Sequence, residues 1–176
     1  MAAEVRKIAI LGPESSGKTT LAHALAARGS TWCVEEYARI HLEKLERSYV
    51  EEDLLDIARA QAGQEDIIAS LPVKVPLMVC DTEMITMRIW SEEKFGRCHP
   101  WIIEQSEHRP YDLFLLCAPD IPWEADPLRE NPHDRDRLFE VYMRMLDALK
   151  KPYVIISGDR EKRVNAAAEA ILSSSD

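Results

Sequence analysis

The chain has no apolar run approaching the ~20 residues that a membrane-spanning helix requires, so a membrane protein is not expected. It also lacks any block of five like charges, and 31 acidic residues outnumber 22 basic ones for a net charge of -9. Nucleic acid, whose backbone is met by clustered Lys and Arg, is therefore not an expected partner. Phosphate ligands are not excluded, because they can be held mainly by backbone N–H groups, one Lys and a metal. The four cysteines, Cys33, Cys80, Cys98 and Cys117, form no CxxC pair and read as reduced core residues. Cys98 and His99 side by side do not suffice for zinc, which needs several ligands at turn or helix spacing. Gly-Ser linkers, internal repeats and low-complexity segments are missing, so the 176 residues are expected to form one domain, 1–176. The opening MAAEVRKIAI leads directly into a strand-like segment, and we expect no signal peptide and a cytoplasmic protein.

What is present is an alternation of short apolar runs and helical patterns. VRKIAIL (5–11), TWCVEE (31–36), PLMVCDT (76–82), YDLFLLCAPD (111–120) and YVIIS (153–157) read as strands. A helix is expected from about Lys18 to Arg28 with Gly29 as its stop, and another through YARIHLEKLER. Residues 51–71 read as a long amphipathic helix ended by Pro72, with Leu54, Leu55, Ile57, Ala58, Gln61, Ile67 and Ile68 on one face. MITMRIWSEEKF and WIIEQSEH are helical stretches parted by GRCHP; RDRLFEVYMRMLDALK and EKRVNAAAEAIL are the last two. Residues 120–134, with Pro122, Pro127 and Pro132, lack periodicity and read as a loop. Strands without polar alternation are covered on both faces, which predicts an α/β fold with a mainly parallel sheet. In such sheets ligands bind beyond the carboxyl ends of the strands.

Gly12-Pro13-Glu14-Ser15-Ser16-Gly17-Lys18-Thr19, followed by Thr20, satisfies GxxxxGK[ST] between a strand and a helix. Its glycines let the backbone wrap an anion, and successive N–H groups with the helix N-terminus point at it. Lys18 would reach the β- and γ-phosphates, and the Thr19 hydroxyl would join a Mg²⁺ shell. The pattern predicts a nucleoside triphosphate bound with Mg²⁺.

Asp81 ends a strand where an acid can orient the metal's water shell, or can cap the helix that follows. The Asn-Lys-x-Asp element with which a GTPase reads guanine is missing: CAPD follows the fourth strand, and NPHD at 131–134 lacks the Lys. A small-molecule kinase needs a donor loop, a metal-side acid, an acid near the acceptor hydroxyl and an Arg-bearing lid. Glu35-Glu36-Tyr37-Ala38-Arg39 follows the second strand, where a carboxylate can accept or position a hydroxyl proton. Arg129, Arg135 and Arg137 lie in or just after the Pro-rich loop, placed either to grip a transferring phosphate or as surface charges. Trp123 is either a lid anchor or a substrate contact. Backbone around Gly158 and Asp159, after the last strand, is a candidate clamp for the base.

GPESSGKTTLA, VEEYAR, DIARAQ, VCDTE, YDLFLLCAPDIPWEADPLR and ISGDREKR run in order across nearly the whole chain. In these the chain resembles the ribosylnicotinamide kinase domain of the NadR family. The resemblance implies a P-loop kinase fold with a five-stranded parallel sheet in the order 2-3-1-4-5. It further implies ATP- and Mg²⁺-dependent phosphorylation of the 5′-hydroxyl of nicotinamide riboside. It selects Glu36, in the EYAR segment, as the acceptor-side acid and Asp81 as the metal-side acid. The family's multidomain members carry an adenylyltransferase domain and sometimes a helix-turn-helix; neither is found here, so no NAD-forming or regulatory role is expected of this chain. Pro127-Leu128 stands in the lid where a Gly is common. A cationic pyridinium favours an acidic pocket with aromatic faces, which Glu35, Glu36, Asp81, Tyr37 and Trp90 could supply, although Trp90 also suits the core.

Overall fold

The computed structural model describes residues 5–29, 31–71 and 75–174; Pro72, expected to end the long helix, lies outside them. In chain order the elements are β1 (Arg6–Leu11), α1 (Lys18–Ala26), β2 (Thr31–Val34), α2 (Tyr37–Leu42), α3 (Glu51–Ser70) and β3 (Leu77–Asp81). There follow α4 (Met84–Phe95), α5 (Pro100–His108), β4 (Leu113–Cys117), α6 (Arg135–Ala148), β5 (Tyr153–Ile156) and α7 (Arg160–Ser173). The strands form one parallel sheet in the order β2-β3-β1-β4-β5. No helix among the described residues is long and apolar enough to cross a membrane.

Alternation of side chains along each strand explains why the central runs are apolar throughout. Ile8 and Ile10 of β1 pack with Leu113 and Leu115 of β4 under α1 and α7. Ala9, Leu11, Phe114 and Leu116 pack on the other face under α4 and α6. A second core joins α2, α3, α4 and α5 through Ala38, Leu54, Ile57, Met84, Met87 and Ile102.

Local departures from the sequence expectations have identifiable causes. Helix α1 ends at Ala26 with Ala27 as a right-handed C-cap, so Gly29 lies beyond the stop. Helix α2 covers six residues only. Beyond it Arg47 turns to Asp53, whose carboxylate also takes the Val50 N–H at 2.7 Å and so begins α3. Ile67, placed by periodicity on the buried face of α3, is 64% exposed, whereas Glu65 is fully buried.

Glu65 explains that exchange. Its carboxylate accepts from Arg109 Nε at 2.8 Å and from the Tyr111 hydroxyl at 2.7 Å, and Lys7 Nζ lies 3.9 Å away. Arg109 also donates to the Ala62 carbonyl at 2.9 Å and to Asp66 at 2.5 Å. The network ties α3 and the end of α5 to the starting ends of β1 and β4, on the rim opposite Asp81. Removing one member of a buried ion pair strands the other charge and typically costs about 3–5 kcal/mol. Arg109→Met is therefore expected to destabilise by about that amount in urea denaturation. The double change Glu65→Leu with Arg109→Met should cost less than Arg109→Met alone.

Candidate active site

Parallel pairing sets Ile10 of β1 against Asp81 of β3, and Leu11 against Leu116. The chain leaves β1 at Gly12 (φ 141°), where a Cβ would sit 2.6 Å from the Cys117 carbonyl oxygen, so only glycine fits. The loop then folds through Ser15 (φ 52°) and Gly17 (φ 81°) into α1. Ser16 Oγ donates to the Pro13 carbonyl at 2.7 Å, and Lys18 Nζ donates to the carbonyls of Gly12 and Pro13 at 3.0 and 2.9 Å. The first turn of α1 thereby stands over the end of β3, and the Thr19 hydroxyl donates to Asp81 Oδ2 at 2.6 Å.

Asp81 is almost wholly buried, and its Oδ1 has no hydrogen-bond partner. Burial pushes its carboxyl up to about 6, against the hydrogen bond from Thr19, which pulls it down; the charge of Glu36 adds to the rise. A free carboxylate oxygen beside a Thr hydroxyl at the end of a phosphate loop is a hard oxygen donor set suited to Mg²⁺. Thr82 follows in the left-handed region (φ 75°), costly for a β-branched residue. Glu83 then caps α4, accepting from the N–H groups of Ile85 and Thr86 at 2.6 and 2.9 Å. Burial pushes its carboxyl up to about 7 despite those donors.

Gln61 of α3 fixes this corner to the next one. Its Oε1 accepts the Tyr37 N–H at 2.9 Å, and its Nε2 lies 3.4 Å from the carbonyls of Asp81 and Thr82. Glu36 is the residue before Tyr37 and the N-cap of α2, so one buried amide holds both strand-end acids in place. Glu35 is exposed and faces His23 at 3.4 Å.

A cavity of about 270 Å³ opens at this rim. It is lined by the whole loop from Gly12 to Thr20, by Glu36 and Arg39, by Thr86, Trp90 and Glu93 of α4, by Glu124, Arg129 and Asn131, and by Tyr142 of α6. Thr86, Glu93, Glu124, Asn131 and Tyr142 carried no sequence signal, since they sit on helix faces or in an aperiodic loop. Of the expected residues, Asp81, Tyr37, Trp123, Arg135, Gly158 and Asp159 are outside this lining. Tyr37 packs with the helical core. Trp90 does both: it lines the cavity and packs in that core, its Nε1 donating to the Tyr49 hydroxyl at 3.0 Å.

The Pro-rich segment lies across the phosphate loop. Arg135 Nη1 donates to the Ser15 carbonyl at 3.0 Å and to the Ile121 carbonyl at 3.0 Å. Arg129 reaches Ser15 Oγ at 3.4 Å and the Glu124 carbonyl. The guanidinium groups of Arg129 and Arg135 lie over Trp123, 5.9 and 5.7 Å from its ring centroid, so that ring is engaged within the Pro-rich segment. Arg39 joins this segment through Asp126 at 2.9 Å. Arg137 is held at the surface by Glu93 and Asp134.

Arg163, unremarked in the sequence beyond its place in SGDREKR, is 5% exposed and joins three loops of the rim. It donates to the carbonyls of Ser16, Ala118 and Gly158 at 2.8, 2.9 and 2.7 Å, and to Asp120. Asp120 in turn accepts the Gly158 N–H at 2.6 Å, and Asp159 caps α7 by accepting from Lys162 N at 2.9 Å. Gly158 and Asp159 thus organise the loop after β5. His99, adjacent to Cys98, caps α5 by accepting the Trp101 N–H at 3.1 Å. Among the described residues no cluster of three or more His, Cys, Asp or Glu side chains is arranged for a metal.

Asp81 and Glu83 give the unliganded fold a defined pH response. Both carboxyls are raised in the folded state, so the fold binds more protons than the unfolded chain between about pH 4 and 7. Stability from these groups therefore falls as pH rises through that window. The lowered acids Asp53, Asp126, Glu130 and Asp134 act in the opposite direction, on the acid side of the ordinary carboxylate range. The midpoint of thermal unfolding is expected to be higher at pH 5.5 than at 7.5 by roughly 2 °C or more, and Asp81→Asn with Glu83→Gln should flatten that difference.

The chain matches the family described as AAA domain over residues 7–163. The trifunctional NAD biosynthesis/regulator proteins NadR of Salmonella typhimurium (strain LT2) and Escherichia coli (strain K12) are each 34% identical to it over 137 residues, 76% of this chain and 33% of theirs. The chain thus spans about a third of the length of the curated relatives it matches. The crystal structure of NadR protein in complex with NR superposes with a TM-score of 0.81 at 23% identity, covering 97% of this chain and 51% of that one. NadR protein in complex with NAD and AMP-PNP gives 0.79 at 23%, over 97% of this chain and 50% of that one. Deoxyadenosine kinase from M. mycoides gives 0.67 at 13%, over 95% and 99%. With the family matched over most of its length and the strand order of these structures in its sheet, the chain belongs to the AAA domain family as a NadR-like protein of the P-loop kinase fold.

Proposed function

We propose that this protein is an ATP- and Mg²⁺-dependent kinase that phosphorylates the 5′-hydroxyl of nicotinamide riboside to the mononucleotide. The observation that carries the reading is a single cavity lined at once by the phosphate loop with Lys18, by the carboxylate of Glu36 and by Arg129 of the lid. A donor loop, an acceptor-side acid and a lid cation on one cavity are the parts phosphoryl transfer requires. The identity to NadR supports the pyridine riboside as acceptor. So does the acidic lining of Glu36, Glu93 and Glu124 beside the Trp90 ring, which suits a cationic base.

In this reading the acceptor oxygen attacks the γ-phosphorus of ATP, the bond to the bridging oxygen breaks, and ADP leaves. Glu36 takes the hydroxyl proton, while Lys18 and Arg129 balance the charge that spreads over the transferring group and Arg135 steadies the phosphate loop through the Ser15 carbonyl. Mg²⁺, held through Thr19 and Asp81, would supply charge neutralisation on the donor phosphates. The N-cap position of Glu36 and the hold of Gln61 on the next N–H support Glu36 for this role, whereas Glu35 is turned to His23.

The likeness to deoxyadenosine kinase favours one second reading, a kinase for another nucleoside. Purified protein incubated with ATP, Mg²⁺ and a panel of nucleosides, read by mass spectrometry, separates the two. The expected result is mononucleotide from the pyridine riboside. A product only from another nucleoside would transfer the assignment to that acceptor, and hydrolysis indifferent to every acceptor would replace both with an ATPase module.

In the same assay Glu36→Gln should lower kcat by roughly 10²–10⁴-fold, the range of general base catalysis, with ATP affinity nearly intact. Equal loss of turnover and ATP binding would make Glu36 structural. Lys18→Ala should lower turnover by at least about 10²-fold.

A further inference from the structure

The middle positions of a phosphate loop ordinarily contribute backbone N–H groups, which leaves their side chains uncommitted. Glu14 occupies such a position, and its carboxylate is turned to the lid. Its Oε1 and Oε2 each lie 3.1 Å from the Glu130 N–H. Oε2 also accepts the Asn131 N–H at 2.8 Å and Asn131 Nδ2 at 3.3 Å. Two consecutive backbone donors and a side-chain amide converging on one carboxylate make a small anion cradle, and the anion in it belongs to the donor loop itself. A neighbouring contact repeats the connection: Ser15 Oγ accepts the Glu124 N–H at 2.9 Å. The Glu130 carboxylate is held in turn by Lys94 and by the Tyr49 hydroxyl, each at 2.8 Å.

From this we propose that Glu14 is a positioning residue, a latch that holds the arginine-bearing lid against the phosphate loop so that the phosphoryl group goes to the sugar hydroxyl and not to water. The inference rests on the kinase reading above for its chemistry, and on the Glu14 contacts alone for its mechanics. A carboxylate bound by the lid is drawn off the phosphates it would otherwise repel, and the same bonds bring Arg129 over the cavity. Opening the latch admits water while leaving the backbone cradle and Lys18 as they are.

The test uses Glu14→Ala and, from the lid side, Asn131→Asp, which sets a second carboxylate against the first. In hydrogen exchange on the full chain without ligands, the amides of Glu130 and Asn131 should exchange roughly tenfold faster in both variants, with the central strands unchanged. With ATP and Mg²⁺, hydrolysis per phosphoryl transferred should rise roughly tenfold. Glu14→Gln, which keeps one acceptor oxygen, should fall between. The combination Glu14→Ala with Asn131→Ala should leak no more than the worse single change, because both break one contact. Unchanged protection of residues 130 and 131, or an unchanged ratio of hydrolysis to transfer, would overturn the latch. The exchange measurement needs no acceptor, so it decides the latch even if the nucleoside panel rejects the proposed substrate.

Discussion

The short approach of the first loop to the sheet is the constraint on which the site depends. Gly12 can lie on the Cys117 carbonyl because it has no Cβ, and that contact fixes where α1 begins. The parallel register then delivers Asp81 two residues upstream of Gly12 on the neighbouring strand, within reach of the first turn of α1. The Thr19–Asp81 hydrogen bond follows from these two facts and from no feature of the surface. A side chain at position 12 would lift the loop and separate the hydroxyl from the carboxylate, without touching either residue.

Around that pair the molecule is organised by polar groups that bridge rims. Gln61 reaches from α3 to the corners carrying Glu36 and Asp81, so these two strand-end acids share one support. Arg163 does the same on the other side, joining the phosphate loop to the loops after β4 and β5. Satisfied buried networks of this kind are rigid, because each member left alone carries a desolvation penalty. The lid differs. Its contacts to Glu14, Ser15, Arg39 and Lys94 are exposed or half-buried, which keeps them within the range that ligand binding can exchange.

The sheet was legible in the sequence because its central strands are buried on both faces and leave uninterrupted apolar runs. The phosphate loop was legible because backbone geometry restricts it to glycine at two places. Asp81 could be located by its position at a strand end, whereas position left Glu35 and Glu36 open and only the family resemblance singled out Glu36. Glu65 was not legible: a charged residue on the apolar face of α3 looks like a break in periodicity, and Arg109 and Tyr111, which make its burial tolerable, lie more than forty residues away in sequence. Gln61 could be placed on the inward face of α3, but what it and Arg163 do there was hidden, since each acts through partners that only folding brings together. Thr86 and Tyr142 reach the cavity from faces of α4 and α6 whose periodicity also serves the core, and helical spacing does not separate those two uses. Gly29 carried a stop signal that was not needed, because α1 had already turned at Ala27.

The segment Asp81-Thr82-Glu83 shows what such a site costs the fold. Two carboxyls are buried one residue apart, one oxygen and one hydroxyl have no partner, and the residue between them is β-branched with positive φ. Each of these is unfavourable, and strain near φ 75° is on the order of 1–3 kcal/mol. The surrounding elements hold the segment in place: Gln61 binds two of its carbonyls, the N–H groups of α4 bind Glu83, and the Thr82 N–H donates to the Ile10 carbonyl at 3.2 Å. A corner so fixed cannot relax toward a better-solvated arrangement. The unpartnered Asp81 oxygen is therefore held where it is, its desolvation penalty borne by the contacts that fix the segment on either side.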